Sequence, residues 1–168
     1  YMLAKAGAEL WRGRALDALA YAERAIDSVR AAGDRRLEAV ALGQLAQATL
    51  SLGRLDEAQG FAAEALAVLA ETLDRRTEGY VLGIQGRVAE ARGLFAEARE
   101  RLDAALSIHR AVGDRMSEGV VECYRGSLAF EEGALEEALG AFMRAGAVLK
   151  DCGERHYTAM TAAASGAV

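Results

Sequence analysis

The residues that could do chemistry are few, and their spacing limits what they can share. Cys152 and His156 stand four apart, an interval that puts two side chains on one face of a helix, where they could hold a metal ion. Gly153 lies between them and is expected to break the helix. Structural zinc also needs four ligands, so the pair reads as two solvated turn residues. His109 is the other histidine and Cys123 the other cysteine. Nothing in the sequence orients a base beside Cys123 or builds an oxyanion site, so a cysteine nucleophile is not supported. Paired carboxylates at Glu131-Glu132 and Glu136-Glu137 are candidates for acid–base work, but both pairs fall at expected helix ends. No glycine-rich turn follows a strand, which excludes a phosphate loop. The sequence therefore reads as non-enzymatic, with no catalytic, cofactor or metal residues.

The elements that must position any site follow from composition and repetition. Proline is absent and aromatics make up only 6% of the chain, while alanine supplies much of the 52% that is hydrophobic. Such a chain buries helix-on-helix contacts between small side chains. A net charge of -5 argues against a nucleic-acid partner, which needs a basic face to neutralise phosphate. Two cysteines make no disulfide framework, and no long uncharged apolar run offers a membrane span, so a cytoplasmic protein is expected.

Gly13, Gly53, Gly93 and Gly133 recur at an interval of 40 residues. Each is followed by alanines in the same register, Ala18 and Ala25, Ala58 and Ala65, Ala98 and Ala105, Ala138 and Ala145. A second mark keeps the period: Gly33-Asp34-Arg35, Leu73-Asp74-Arg75, Gly113-Asp114-Arg115 and Gly153-Glu154-Arg155. Asp34, Asp74 and Asp114 are expected N-caps, and the glycines are expected to take the left-handed conformation that ends a helix. This predicts first helices over 34–52, 74–92 and 114–132, with partial ones at 1–12 and 154–168. Second helices are predicted over 55–72, 94–112 and 134–152. The repeats are 1–33, 34–73, 74–113 and 114–153, with a part-repeat at 154–168. Both ends cut through a repeat, and a fragment of a longer array is expected. Acidic residues open the second helices and arginines 35, 36, 75, 76, 115 and 155 follow them, so one edge should be acidic and the other basic.

The repeat resembles the tetratricopeptide repeat family in a long form, familiar from large bacterial regulatory and signalling proteins. The small position of the first helix reads Ala6, Ala46, Gly86 and Gly126, the turn is glycine, and two alanines follow. Departures are Lys5, Gln85 and Arg125 at a position where the family has leucine, and Glu122 at its bulky position. HEAT repeats share the length but leave the glycine–alanine signature unexplained. The resemblance implies an all-α, right-handed superhelical solenoid of antiparallel helix pairs with about four repeats. It also implies a concave groove lined by the first helices that binds a protein or peptide segment.

At about 100° per residue, the groove face carries Val40, Gly43 and Gln47, then Tyr80, Gly83, Arg87 and Glu90. Val120, Cys123, Ser127, Phe130 and Glu131 continue it, and Leu3, Leu10 and Trp11 extend it. The partner-binding residues expected are Gln47, Tyr80, Gly83, Arg87, Cys123, Ser127, Phe130 and Glu131. Gly43 and Gly83 either let a ligand backbone approach or permit tight winding. Tyr124 falls on the seam between repeats. Three roles stay open: a protein- or peptide-binding scaffold, a spacer or self-assembling element that pairs as a homodimer through end helices near Trp11 and Met160, and an intramolecular sensor arm of a multidomain regulator.

Overall fold

The computed structural model describes residues 1–153 and Gly166. The predicted helix at 154–168, with His156 and Met160, lies outside that range. The described residues form eight helices and no strand: α1 (Met2–Trp11), α2 (Ala15–Ala31), α3 (Arg35–Ser51), α4 (Leu55–Thr72), α5 (Arg75–Ala91), α6 (Phe95–Ala111), α7 (Arg115–Glu131) and α8 (Leu135–Asp151). The seven described helices with predicted bounds begin and end within one residue of those bounds, and α2 completes the first repeat. The caps explain why. The carboxylates of Asp34, Asp74 and Asp114 accept from the amides of Leu37, Thr77 and Ser117 at 3.0, 3.2 and 3.2 Å, satisfying first-turn donors that have no helical partner. At the other ends, Gly53, Gly93 and Gly133 take φ values of 73°, 72° and 77°.

One turn departs from the pattern. Leu73 holds the position of Gly33 and Gly113 and still adopts φ 55°, the one non-glycine with positive φ among the described residues. Its side chain is 83% exposed, so nothing packs to repay a conformation that crowds Cβ against the carbonyl.

Consecutive helices pack on each other throughout, giving a solenoid of antiparallel pairs. The backbones of the odd-numbered helices also approach one another, α1 with α3, α3 with α5 and α5 with α7, while the even-numbered helices stand farther apart and are spanned by long pairs such as Arg99 with Glu137 at 2.6 Å. The first helix of each pair therefore lies on the inner, concave side. Val81, Ile84 and Val88 of α5 bury into the cluster formed by α1 to α4, which is the seam that joins neighbouring repeats.

Close approach within each pair is set by the small position of the first helix. A Cβ on Gly86 would stand 2.7 Å from Leu102 Cγ, and one on Gly126 would stand 2.6 Å from a ring carbon of Phe142. In the same registers the first two repeats carry Ala6 with Ala22 and Ala46 with Ala62, all four fully buried. Glycine thus makes room where the second helix brings a large side chain.

Glu122, the departure at the bulky position, is 1% exposed. Arg110 reaches it at 2.8 Å, Arg144 at 3.1 Å and Arg125 at 3.5 Å. A charge replaces a leucine in the repeat because three guanidinium groups converge on it.

The expected basic edge is corrected. Arg36 pairs with Asp74 at 2.9 Å and Arg76 with Asp114 at 3.4 Å, so each reaches the N-cap of the next repeat. Arg35, Arg75 and Arg115 pair with Glu38, Glu78 and Glu118 at 2.7, 2.5 and 2.5 Å. The positive charge is neutralised partly within each helix and partly by the next repeat, and this side of the ribbon is a row of ion pairs. Arg155 lies outside the described residues. No described helix is long and apolar enough to cross a membrane.

Candidate functional site

Two adjoining pockets open on the face of the odd-numbered helices. The first, of about 130 Å³, is lined by Leu10, Trp11, Tyr80, Gly83, His109, Met116 and Val120 among others. The second is broader, about 840 Å³, and is lined by residues that include Leu50, Ser51, Arg87, Glu90, Cys123, Ser127 and Glu131. Gln47 and Tyr124 line both, so they form the wall between them.

Seven of the eight expected contact residues come together here: Gln47, Tyr80, Gly83, Arg87, Cys123, Ser127 and Glu131. Phe130 does not. It is 47% exposed and lines neither pocket. Cys123 is buried and packs with Ala145 and Leu149, so it closes the floor of the second pocket rather than standing out from it.

The glycines separate. A Cβ on Gly43 would lie 3.1 Å from the Tyr80 ring, so its missing side chain seats that tyrosine and serves winding. A Cβ on Gly83 would meet only Val121, at 3.8 Å, and Gly83 faces the open first pocket. Tyr124 corrects its seam assignment in part. Its ring packs against the seam cluster and also carries the Arg87 guanidinium 4.8 Å from its centroid.

Two buried polar groups break the pattern of the repeat. His109 stands in the register of Leu69 and Leu149. It is 1% exposed, lines the first pocket and leaves Nδ1 without a hydrogen-bond partner. Burial pushes its pKa below the usual imidazole range, since a low-dielectric site disfavours the cation. Glu90 stands in the register of Leu10, Leu50 and Phe130. It is 5% exposed, and neither carboxylate oxygen accepts a well-formed hydrogen bond. Arg87 Nε lies 3.1 Å from it, an ion contact rather than a directed bond. Burial raises the Glu90 pKa, Glu131 adds to the rise, and Arg87 with the nearby Ser127 hydroxyl offsets it only in part. Glu90 was legible as a groove residue. His109 was not, because it comes from the second helix of its repeat, although its polar type at a leucine register was the available signal.

Residues 1–71 match the family model described as tetratricopeptide repeat. No curated protein matches the chain. Among solved structures, a signal-transduction ATPase with a tetratricopeptide repeat sensor from Pyrococcus horikoshii is similar over 98% of this chain and 25% of its own, at 19% identity and TM-score 0.76. BtubC from P. vanneervenii is similar over 96% of this chain and 75% of its own, at 17% identity and TM-score 0.67. A variant of a chain described as a putative kinesin light chain with nearly identical TPR-like repeats, from Podosopora anserina, is similar over 98% of this chain and 85% of its own, at 17% identity and TM-score 0.64. This chain thus spans a quarter of the length of the ATPase. The family match covers the first 71 residues, and the same stack of helix pairs continues unbroken through Asp151, with the fold of tetratricopeptide-like repeat solenoids.

Proposed function

We propose that the chain is a binding scaffold, not an enzyme, that takes a peptide segment or partner domain along the concave face. The observation carrying this reading is the pair of adjoining pockets on that face, walled by Tyr80, Tyr124 and Trp11 and divided by Gln47. Aromatic side chains held on rigid helices supply large contact area at little entropic cost, the chemistry of binding anchors. Gln47, Tyr80, Gly83, Arg87, Ser127 and Glu131 form the contact surface, with Cys123 beneath it and Phe130 at its margin. A cytoplasmic setting fits the absence of a membrane-crossing helix among the described residues.

The test is selection of random linear peptides displayed on phage against the wild type and Gly83→Leu. The substitution favours the helix and fills the first pocket without removing a core side chain. Peptides enriched on the wild type and lost from the folded variant support the reading. No enrichment, or equal enrichment on both, sinks it. A scattering mass above the 17.8 kDa monomer with no peptide retained would favour the self-assembling or spacer role instead.

A second reading takes the array as an intramolecular sensor arm of a multidomain regulator. The likeness to the sensor-bearing ATPase over nearly the whole of this chain favours it. It predicts that groove variants alter the activity of the full-length host protein.

A further inference from the structure

We infer that the bound segment carries a lysine or arginine whose cationic head enters the second pocket against Glu90. This deepens the groove reading above and rests on it.

Four observations converge on a cation. Glu90 is a carboxylate where the other three repeats place Leu10, Leu50 and Phe130, so the repeat itself does not require a charge at this register. The residue is nearly closed off from water and both oxygens lack a well-formed hydrogen bond. Leaving such acceptors unfilled costs free energy. Glu131 lines the same pocket, so with Arg87 the local sum of charge is one negative. His109, which lines the adjoining first pocket, likewise has a buried ring nitrogen, Nδ1, with no hydrogen-bond partner. The groove is short of donors, and a donor-rich basic segment supplies them.

Arg87 shows how such a group would sit. Its guanidinium lies over the Tyr124 ring at 4.8 Å and 3.1 Å from Glu90, which is cation–π and ion contact together. Yet its bonding to Glu90 is poorly directed, and its side chain is 35% exposed. Arg87 therefore holds the place of the incoming cation and yields it by turning toward solvent. The sign is opposite to that of an ordinary contact residue: removing Arg87 strengthens the binding of a basic segment, and neutralising Glu90 weakens it.

The experiment uses the peptides selected on the wild type. Lysine or arginine is expected in the enriched sequences. Replacing that residue by alanine should lower affinity at least about tenfold on the wild type, because charge-assisted bonds in a desolvated site are strong. The same replacement should matter little on Glu90→Gln, which keeps the shape of the pocket and whose fold is checked by circular dichroism. Arg87→Ala should tighten the basic peptide and leave its alanine version unchanged. Peptides that bind the wild type, are blocked by Gly83→Leu and carry no basic residue would overturn the cation site while leaving the groove reading intact. Weaker binding of the basic peptide to Arg87→Ala would overturn it as well. An empty selection would remove both readings together.

Discussion

Gly86 lies so close beneath Leu102 that a single added methyl would stand 2.7 Å from the leucine Cγ. The two positions are one matched choice, since Ala46 with Ala62 fill the same registers one repeat earlier. Gly86→Ala is expected to destabilise the fold by about 1–2 kcal/mol, because overpacking outweighs the gain in helix propensity. Leu102→Ala alone should cost about 2–4 kcal/mol. The double variant recreates the pair of the second repeat and should lose about 1 kcal/mol less than the sum of the singles. Urea unfolding of the four proteins measures the coupling; strict additivity would show that the residues do not share one space.

Glu122 is held by three guanidinium groups in an otherwise apolar register. Glu122→Ala should cost about 3 kcal/mol, as loss of one partner strands buried charge. The figure sits at the low end because Arg110 and Arg144 are half exposed and can turn to water. Glu122→Leu, the residue found at Leu42 and Leu82, should cost less than Ala. Thermal melts that rank Leu below Ala would contradict this account.

Leu73 takes a left-handed conformation with its side chain in solvent. Leu73→Gly removes that strain and loses no packing, so a gain of about 0.5 kcal/mol is expected after the entropy of glycine in the unfolded chain is counted. A melting temperature equal to or below the wild type would mean the turn relaxes some other way.

Gly83 differs from Gly86 because its Cβ direction is open. Gly83→Ala should therefore stabilise the helix by about 1 kcal/mol. A loss of stability in chemical unfolding would show that the pocket at Gly83 is narrower than its distance to Val121 implies.

Glu90 and His109 give stability opposite slopes with pH. The raised pKa of Glu90 means its contribution is full below the unfolded value near 4.3 and is lost as pH rises through the folded value. Glu90→Gln should thus be more stable than the wild type at neutral pH, with the advantage fading toward about pH 4. The lowered pKa of His109 acts the other way, since its contribution is full above about 6.5 and is lost as pH falls through the folded value. His109→Leu should flatten the acid side of the stability profile just below about pH 6.5. Parallel pH profiles for wild type and both variants would show that burial of these groups has no energetic consequence.

Much of this molecule is legible from local rules. Asp34, Asp74 and Asp114 cap helices because a short carboxylate satisfies first-turn amides wherever it precedes one. Gly53 and Gly93 end helices because left-handed backbone is cheap for glycine. Repetition then stacks the pairs, and the resemblance to the tetratricopeptide repeat family implies which face is concave. Other features depend on contacts between residues distant in sequence. Nothing local to Glu122 announces Arg110 and Arg144. The partners of Arg36 and Arg76 lie in the next repeat, which is why an edge that looks basic in sequence is neutralised in space. Tyr80 seats on Gly43 and Arg87 on Tyr124 because neighbouring repeats meet at one angle and distance, and no single helix encodes that. The sequence by itself determined the array and its register, since those follow from backbone propensity and periodicity. Only the tertiary structure decided which polar groups are left unfilled inside the groove, because burial and partnership are properties of packed neighbours.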